Sequence, residues 1–166
     1  RAHPLGIFPG IASLTSFDTI EQMKSSVLID TPIYPFFEHS QGKDLDEQSL
    51  EFIRTVLQKN YLEAFYDLCE TIGGDTAEVM CPTLDFEADR LVVTIAANTA
   101  AMREISPDDR KRMFPRIGTM AAVQDELASV ESREQLAEKL KQLGYATWAD
   151  LFDDGHVDSS GRKTGF

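Results

Sequence analysis

The sequence predicts an all-α fold, a helical bundle segment built around a long antiparallel hairpin. Residues 75–104 begin with a capping aspartate and carry apolar side chains mostly three or four positions apart, the spacing of one buried helix face. Residues 46–72 carry a second stripe of this kind, long enough for roughly seven helical turns. Gly73 and Gly74 lie between the two stretches and can adopt the left-handed conformation that ends a helix. Two long helices joined by a tight turn are therefore the predicted centre of the fold.

Shorter helices are predicted on either side of this hairpin. Capping residues, first-turn prolines and apolar spacing place them at about 18–28, 32–39, 106–114, 119–127 and 132–143, with a last turn around Trp148. Glycine, serine and charged residues dominate 153–166, which predicts a loop there. The composition, 42% hydrophobic and 27% charged, is that of an ordinary soluble protein. Residues 1–166 are expected to form a single helical domain.

The charge balance restricts the partners that this chain can have. It contains 28 acidic and 16 basic residues, and its formal net charge is −12. Binding to nucleic acid or to an anionic lipid surface requires clustered lysine and arginine, so both are disfavoured. Basic proteins are the expected partners.

Other sequence features indicate a cytosolic setting. No run approaches the roughly 18 uninterrupted apolar residues of a membrane helix, and the first residues lack a secretory signal. Cys69 and Cys81 are the two cysteines, a low number that is typical of a reducing compartment. They lie almost equally far from the Gly73–Gly74 turn, so the hairpin predicts that they are neighbours that stay reduced. Since the chain begins at Arg1 rather than methionine, we expect it to be part of a longer protein.

The candidate residues for chemistry lie on the second long helix. Asp85, Glu87 and Asp89 are closely spaced carboxylates, which could bind a metal or act as an acid and a base. Arg90 follows them, and Arg54 is expected on the facing helix. Charges on such an apolar helix are expected to be buried, and a buried charge needs a partner. We therefore favour structural ion pairs among Arg54, Glu87, Asp89 and Arg90, with Glu87 as the first partner, and expect Arg90→Ala to destabilise the fold by about 3 kcal/mol.

No other chemical site is indicated by the sequence. His3, His39 and His156 do not have the spacing of zinc ligands on one helix. The stretch 150–161 lacks carboxylates at the positions that a calcium loop requires. Gly73 and Gly74 are not followed by the Gly-Lys-Ser/Thr of a phosphate loop. We expect no catalytic residue, no metal and no cofactor.

Several blocks of the sequence, in order and in spacing, resemble one known family. The blocks are His3–Gly6, Val27–Pro32, Ile53–Arg54, Tyr61–Tyr66, Met80–Pro82 and Phe86–Arg90. Together they resemble the d subunit of the vacuolar-type proton-pumping ATPase, strongly over about residues 1–118. Agreement of separate blocks in register is much more specific than any single motif.

This resemblance implies both a fold and a function. The fold would be a segment of a helical funnel within a larger, pseudo-repeated helical subunit. The subunit would lie on the cytoplasmic face of vacuolar or endosomal membranes, peripheral to the bilayer and seated on the proteolipid c-ring. Its other partners would be the central shaft subunits D and F and the a subunit. The family implies torque transmission between the two sectors, with no active site and no nucleic-acid partner.

Two rival functions stay open from the residues themselves. One is a helical enzyme that uses Asp85, Glu87 and Asp89, and the other is a free-standing helical scaffold. Exposure separates these alternatives, because catalytic acids must line a pocket that substrate can reach. A free-standing scaffold would show its apolar surfaces already covered in isolation.

Overall fold

Helices form every regular element of the described residues, which are Gln22, Tyr34 and 50–152 of a computed structural model. The predicted all-α class is therefore confirmed. Gln22 and Tyr34 are helical, in agreement with the helices predicted around them. The remainder of those two helices and the loop predicted at 153–166 lie outside the described residues. None of the described helices has the length and apolar character that crossing a bilayer requires.

Two long helices come first, and the shorter helices follow them. The α-helices are α1 (Leu50–Ile72), α2 (Gly74–Thr99), α3 (Pro107–Met113), α4 (Gln124–Ala128), α5 (Arg133–Gln142) and α6 (Ala146–Ala149). A 3₁₀ helix at Thr119–Val123 leads into α4, and another at Asp150–Phe152 follows α6. The single helix predicted over 119–127 is thus two short pieces, because its first turn has the tighter 3₁₀ geometry.

The residues group into two compact units, Arg1–Tyr61 and Leu62–Phe166, and the division falls inside α1. In the first unit, the N-terminal half of α1 buries Ile53. The single domain predicted for 1–166 stays a prediction, and so does the hairpin over its full length. The turn has the expected positive φ angles, +69° at Gly73 and +55° at Gly74. The predicted cap at Asp75 is wrong, because α2 begins at Gly74 and no side chain caps it.

The core of the second unit forms around α2. Ala88, Val92 and Ala96 recur every four residues on one face of this helix and are fully buried. Because these side chains are small, neighbouring elements can approach the helix axis closely. The shorter helices and their connections supply the larger buried side chains, which are Met113, Phe114, Met120, Leu127, Leu136 and Leu140. The core is thus assembled from one long helix and several short ones packed against it.

The C-terminal end of α2 differs from the prediction. The apolar stripe predicted a helix through Glu104 that included Met102, but α2 ends at Thr99 and Met102 is exposed. The Met102 N–H donates to the Thr99 carbonyl in a turn (2.9 Å). The guanidinium of Arg110 donates to the carbonyls of Thr99 (2.7 Å) and Ala100 (3.4 Å). An arginine near the end of a helix can donate to the last carbonyls, and Arg110 together with the turn at Met102 stabilises the end of α2 at Thr99.

The starts of α3 and α5 agree with their predicted caps. The Ser106 hydroxyl accepts from the Asp109 N–H (3.1 Å), and the Asp109 carboxylate accepts from the Ser106 N–H in return (3.3 Å). Ser132 caps α5 through the N–H of Gln135 (3.2 Å). Gly144, with φ of +89°, follows α5 where the sequence predicted its end. The predicted caps at Ser106 and Ser132 are therefore confirmed.

Candidate functional site

The carboxylates predicted on α2 hold a loop of the same unit. Asp85 and Asp89 lie one turn apart on one face, and Asp89 is only 4% exposed. Asp89 accepts hydrogen bonds from the N–H of Met120 (2.9 Å) and the hydroxyl of Thr119 (2.6 Å). Asp85 accepts one from the N–H of Gly118 (2.9 Å). Hydrogen bonds from backbone N–H groups stabilise an ionised carboxylate, so both acids serve to position residues 118–120.

Gly118 allows this loop to approach α2 closely. Its φ of +96° is unfavourable for any residue with a side chain. A Cβ atom at this position would lie 2.6 Å from Oδ1 of Asp89 and 3.2 Å from the backbone oxygen of Asp85. Glycine is therefore required both by the conformation and by the space between the loop and the helix.

The C-terminal half of α1 holds the other end of the same loop. The backbone N–H of Arg116 donates to Oε1 of Glu63 (2.7 Å), and its guanidinium contacts Asp67. The Nε atom of Arg116 lies 3.6 Å from Oε2 of Glu63. The hydrogen bond to Asp67 raises the pKa of the Arg116 guanidinium above its ordinary value. We call the four carboxylates of Glu63, Asp67, Asp85 and Asp89 the acidic cradle, because together they hold residues 116–120 on the two long helices.

The predicted ion-pair residues are in different surroundings. Arg90 donates to Oε2 of Glu87 through Nε (3.0 Å) and a terminal nitrogen (2.7 Å), one turn apart on α2. The premise that this pair is buried is wrong, because 44% of the Arg90 side chain and 38% of the Glu87 side chain are exposed. Asp89 is buried, but its described partners are neutral donors rather than an arginine. Arg54 lies exposed on the part of α1 that belongs to the first unit, and its pairing stays a prediction.

A buried arginine that the sequence analysis overlooked lies in α3. Arg110 is 5% exposed, and one of its terminal nitrogens donates to the carbonyls of Ala128 (2.9 Å) and Val130 (2.5 Å). The same guanidinium also binds Thr99 and Ala100. It therefore links the end of α2, the end of α4 and the segment between α4 and α5. Burial lowers the pKa of Arg110, and the nearby carboxylate of Glu131 partly offsets that effect.

The two cysteines lie in the second unit, close to the acidic cradle. Cys69 is buried, Cys81 is half-buried, and both are free thiols, as predicted. Burial raises the pKa of the Cys81 thiol, and Cys69, Glu70 and Asp85 raise it further. That the two thiols are neighbours stays a prediction. A thiol whose pKa is raised is a poor nucleophile at neutral pH.

The surroundings of the acids disfavour the enzyme alternative. An open cavity of about 770 Å³ lies beside the end of α2, but its lining comes from residues 100–103 and 105–107, Arg110, Ser129 and Glu131. Asp85 and Asp89 instead face the loop that they bind. Among the described residues, no group of three or more histidine, cysteine, aspartate or glutamate side chains is placed to hold a metal ion. The carboxylates fit a structural role better than a catalytic one.

The described residues define an all-α protein whose acids on α2 bind its own loop, and comparison with known proteins gives the family. The sequence profile of the ATP synthase (C/AC39) subunit family matches residues 1–163. The chain therefore belongs to this family.

Its relatives include subunits d of V-type proton ATPases. It is 41% identical over 138 residues to a probable V-type proton ATPase subunit d of Oryza sativa subsp. japonica, covering 82% of this chain and 39% of that protein. Subunit d of Dictyostelium discoideum is 36% identical over 157 residues, which cover 93% of this chain and 44% of the relative. Subunit d of Saccharomyces cerevisiae is 37% identical over 123 residues, or 72% of this chain and 36% of the relative. The chain thus spans less than half the length of these three relatives.

Proposed function

We propose that this chain is part of a non-catalytic coupling subunit of a rotary, vacuolar-type proton-pumping ATPase. The subunit sits on the cytoplasmic side of the proteolipid c-ring and links the ring to the central shaft subunits D and F and to the a subunit. In this position it transmits torque during ATP-driven proton transport at vacuolar or endosomal membranes. The observation that carries the proposal is the family match over residues 1–163.

The chemistry of the acidic cradle supports a structural role for this chain. Asp85 and Asp89 are the carboxylates that an enzyme would need, and both already accept hydrogen bonds from residues 118–120. Glu87, the third candidate acid, is paired with Arg90. Using these groups as acids or bases would require the loop to leave α2. The hydrogen bonds and the ion pair of these acids therefore favour a rigid structural role, which torque transmission would require.

The surplus of negative charge supports docking onto basic partners. With a formal net charge of −12, the chain attracts positively charged surfaces over about one Debye length, which is roughly 8 Å at physiological ionic strength. Association with the partner sectors is expected to slow as salt is raised. Contacts that are buried once the complex has formed are screened much less, so dissociation should change little.

The proposal is tested by assembling the ATPase with and without the full-length protein. We expect its omission to abolish coupled proton pumping, while ATP hydrolysis by the detached soluble sector persists. Measuring association and dissociation rates over a salt series then separates the effect of salt on assembly from its effect on the formed complex. Pumping at the normal rate without the protein would contradict the coupling function.

The enzyme alternative is tested with Glu87→Gln in the same preparation. Glu87 is partly exposed and not in the acidic cradle, so this substitution should leave the fold intact. We expect the isolated protein to show no hydrolase activity with either glutamate or glutamine. An intrinsic activity that disappears in Glu87→Gln would favour the enzyme instead.

A further inference from the structure

The end of the second unit where α1 meets α2 exposes both apolar and acidic side chains. Leu68, Ile72 and Val79 are 53%, 60% and 64% exposed. They are three of the seven large apolar side chains found exposed in the described residues, and they flank a single turn. Exposed leucines and valines are ordinary when scattered, but several around one turn indicate an interaction surface.

The charges around this turn have one sign. Residues 62–87 contain seven carboxylates, at 63, 67, 70, 75, 78, 85 and 87, and no lysine or arginine. Three of these acids, Glu70, Asp75 and Glu78, are exposed close to the turn. In the part of the chain that the structure describes, no cation lies within ion-pair distance of these three. We call the six exposed residues Leu68, Glu70, Ile72, Asp75, Glu78 and Val79 the acidic-apolar tip.

The orientation of α1 adds to the preference of the tip for a cation. The C-terminal end of a helix carries partial negative charge, which basic side chains in the last turn usually offset. The last turn of α1 contains no basic residue, and Glu70 adds a full negative charge there. A positively charged partner would therefore reduce the repulsion among these negative charges.

The acidic cradle shows how this face of the helices binds a basic side chain. One turn of α1 away from the tip, Arg116 binds Glu63 and Asp67. Glu70 of the tip follows Glu63 and Asp67 along α1, but residues 116–120 do not bind it. Gly74 leaves the turn open, since no atom lies within 4 Å of the position that its Cβ would take.

We propose that the acidic-apolar tip is a docking site for a basic amphipathic helix of a partner protein. The apolar side of that helix would cover Leu68, Ile72 and Val79, while its lysines or arginines would pair with Glu70, Asp75 and Glu78. This inference rests on the proposed function, because it names the surface and the chemistry by which the subunit holds one of its partners.

A peptide-binding measurement on the full-length protein tests the inference. The probe is an amphipathic peptide of about 18 residues, with leucine and lysine at helical spacing, and binding is followed by fluorescence anisotropy. We expect saturable binding that weakens as salt is raised. A peptide with glutamate in place of each lysine should not bind. Equal binding of both peptides, or no binding of the lysine peptide, would overturn the proposal.

Two sets of substitutions separate the apolar and the charged contributions. The first replaces Leu68, Ile72 and Val79 together by serine, and the second combines Glu70→Gln, Asp75→Asn and Glu78→Gln. Each set should weaken peptide binding at least about tenfold without unfolding the protein, since all six side chains are exposed. Matched controls alter exposed residues elsewhere and should bind like the unmodified protein; they are Met102→Ser with Leu151→Ser, and Glu104→Gln with Asp108→Asn. Equal weakening in the controls would contradict a localised site.

Other occupants of the tip give different results. If a second copy covers it, the protein will be a dimer that the serine substitutions convert to a monomer. If another part of the same chain covers it, a Leu68→Cys thiol in the isolated full-length protein will resist labelling. Either result overturns the inference. If substitutions that abolish peptide binding leave assembly and pumping of the ATPase unchanged, the inference is overturned and the proposed function stands. Pumping at the normal rate without the protein would instead contradict the proposed function itself.

Discussion

Two buried charges of opposite sign organise the second unit, one in the middle of α2 and the other in α3. Asp89 is 4% exposed and Arg110 is 5% exposed. The aspartate accepts from a backbone N–H and a hydroxyl about 30 residues further along the chain. The arginine donates to carbonyls that are 10 to 20 residues away. The aspartate and the terminal nitrogens of the arginine are thus satisfied by neutral dipoles, whereas the buried Nε of Arg110 has no hydrogen-bond partner among the described residues. Each charge joins segments that are distant in sequence.

The two buried charges differ in which part of the fold they position. Asp89, with Asp85, holds a loop against the side of a helix, so it determines how closely residues 118–120 approach α2. Arg110 gathers the carbonyls at the ends of two helices, so it determines where those helices stop. Removing the aspartate would loosen one part of one loop, whereas removing the arginine would take a donor away from carbonyls in three segments. We expect the arginine to contribute more to stability.

Substitution of Arg110 is predicted to have the largest effect. Arg110→Met fills similar space but leaves the carbonyls of Thr99, Ala128 and Val130 without this donor, and should lower the free energy of unfolding by about 3 to 5 kcal/mol. Urea denaturation of the purified protein measures the change. Arg112→Met is the matched control on the same helix, because 63% of the Arg112 side chain is exposed. Similar losses in the two variants would contradict the comparison.

Arg110→Lys sharpens the same test. A lysine keeps the charge but has a single nitrogen, which cannot reach carbonyls on both sides as the guanidinium fork does. We expect its stability to lie between those of the unmodified protein and Arg110→Met. If Arg110→Lys is fully stable, the charge rather than the arrangement of the hydrogen bonds is what the fold requires.

Asp89→Ala is predicted to have the next largest effect. It leaves the N–H of Met120 buried and without an acceptor, and should cost about 2 to 3 kcal/mol in the free energy of unfolding. Asp85→Ala is the control from the same cradle, and should cost about 1 kcal/mol because it removes one hydrogen bond in a half-buried position. Urea denaturation of the two variants measures both losses. A larger loss for Asp85→Ala would place the main attachment of the loop at Gly118 instead.

Much of the fold could be predicted from the sequence because its signals are local. Apolar spacing identified α1 and α2, while Ser106, Ser132 and the Gly73–Gly74 turn identified where helices begin or end. The predicted end of α2 was wrong because the actual end depends on Arg110, which lies in another segment. A helical pattern alone cannot show that a distant guanidinium takes the last carbonyls.

The acids of α2 illustrate the same limit at the candidate site. Their spacing indicated that Asp85 and Asp89 share a face, but not that Gly118, Thr119 and Met120 would supply their donors. Burial of acids was expected to require arginine, whereas N–H and hydroxyl groups suffice. The available signal was Gly118 itself, a glycine after Pro115 in a chain with few other glycines nearby, which marks a close backbone approach.

Gly118→Ala is predicted to have an effect close to that of Asp89→Ala. The new Cβ would lie 2.6 Å from Asp89 and the backbone would keep an unfavourable positive φ, so we expect a loss of about 2 to 3 kcal/mol. Gly144→Ala is a matched control, since Gly144 has a similar φ of +89° but no atom within 4 Å of the new Cβ. It should cost only about 1 kcal/mol, from backbone strain alone. Equal losses would show that the close approach to Asp89 is not a constraint.

The exposed pair of Glu87 and Arg90 is predicted to have the smallest effect, which completes the comparison between buried and exposed charges. Both side chains are more than one-third exposed and one turn apart, so their interaction should contribute about 0.5 kcal/mol, far below the 3 kcal/mol roughly expected for a buried arginine. A double-mutant cycle with Arg90→Ala and Glu87→Ala in urea measures the interaction directly, because effects of each single substitution cancel. Raising the salt concentration should reduce it further, since exposed charges are screened. An interaction of several kcal/mol that resists salt would mean that this pair is covered in the full-length protein. The fold would then contain a buried ion pair as well as buried charges that bind the backbone.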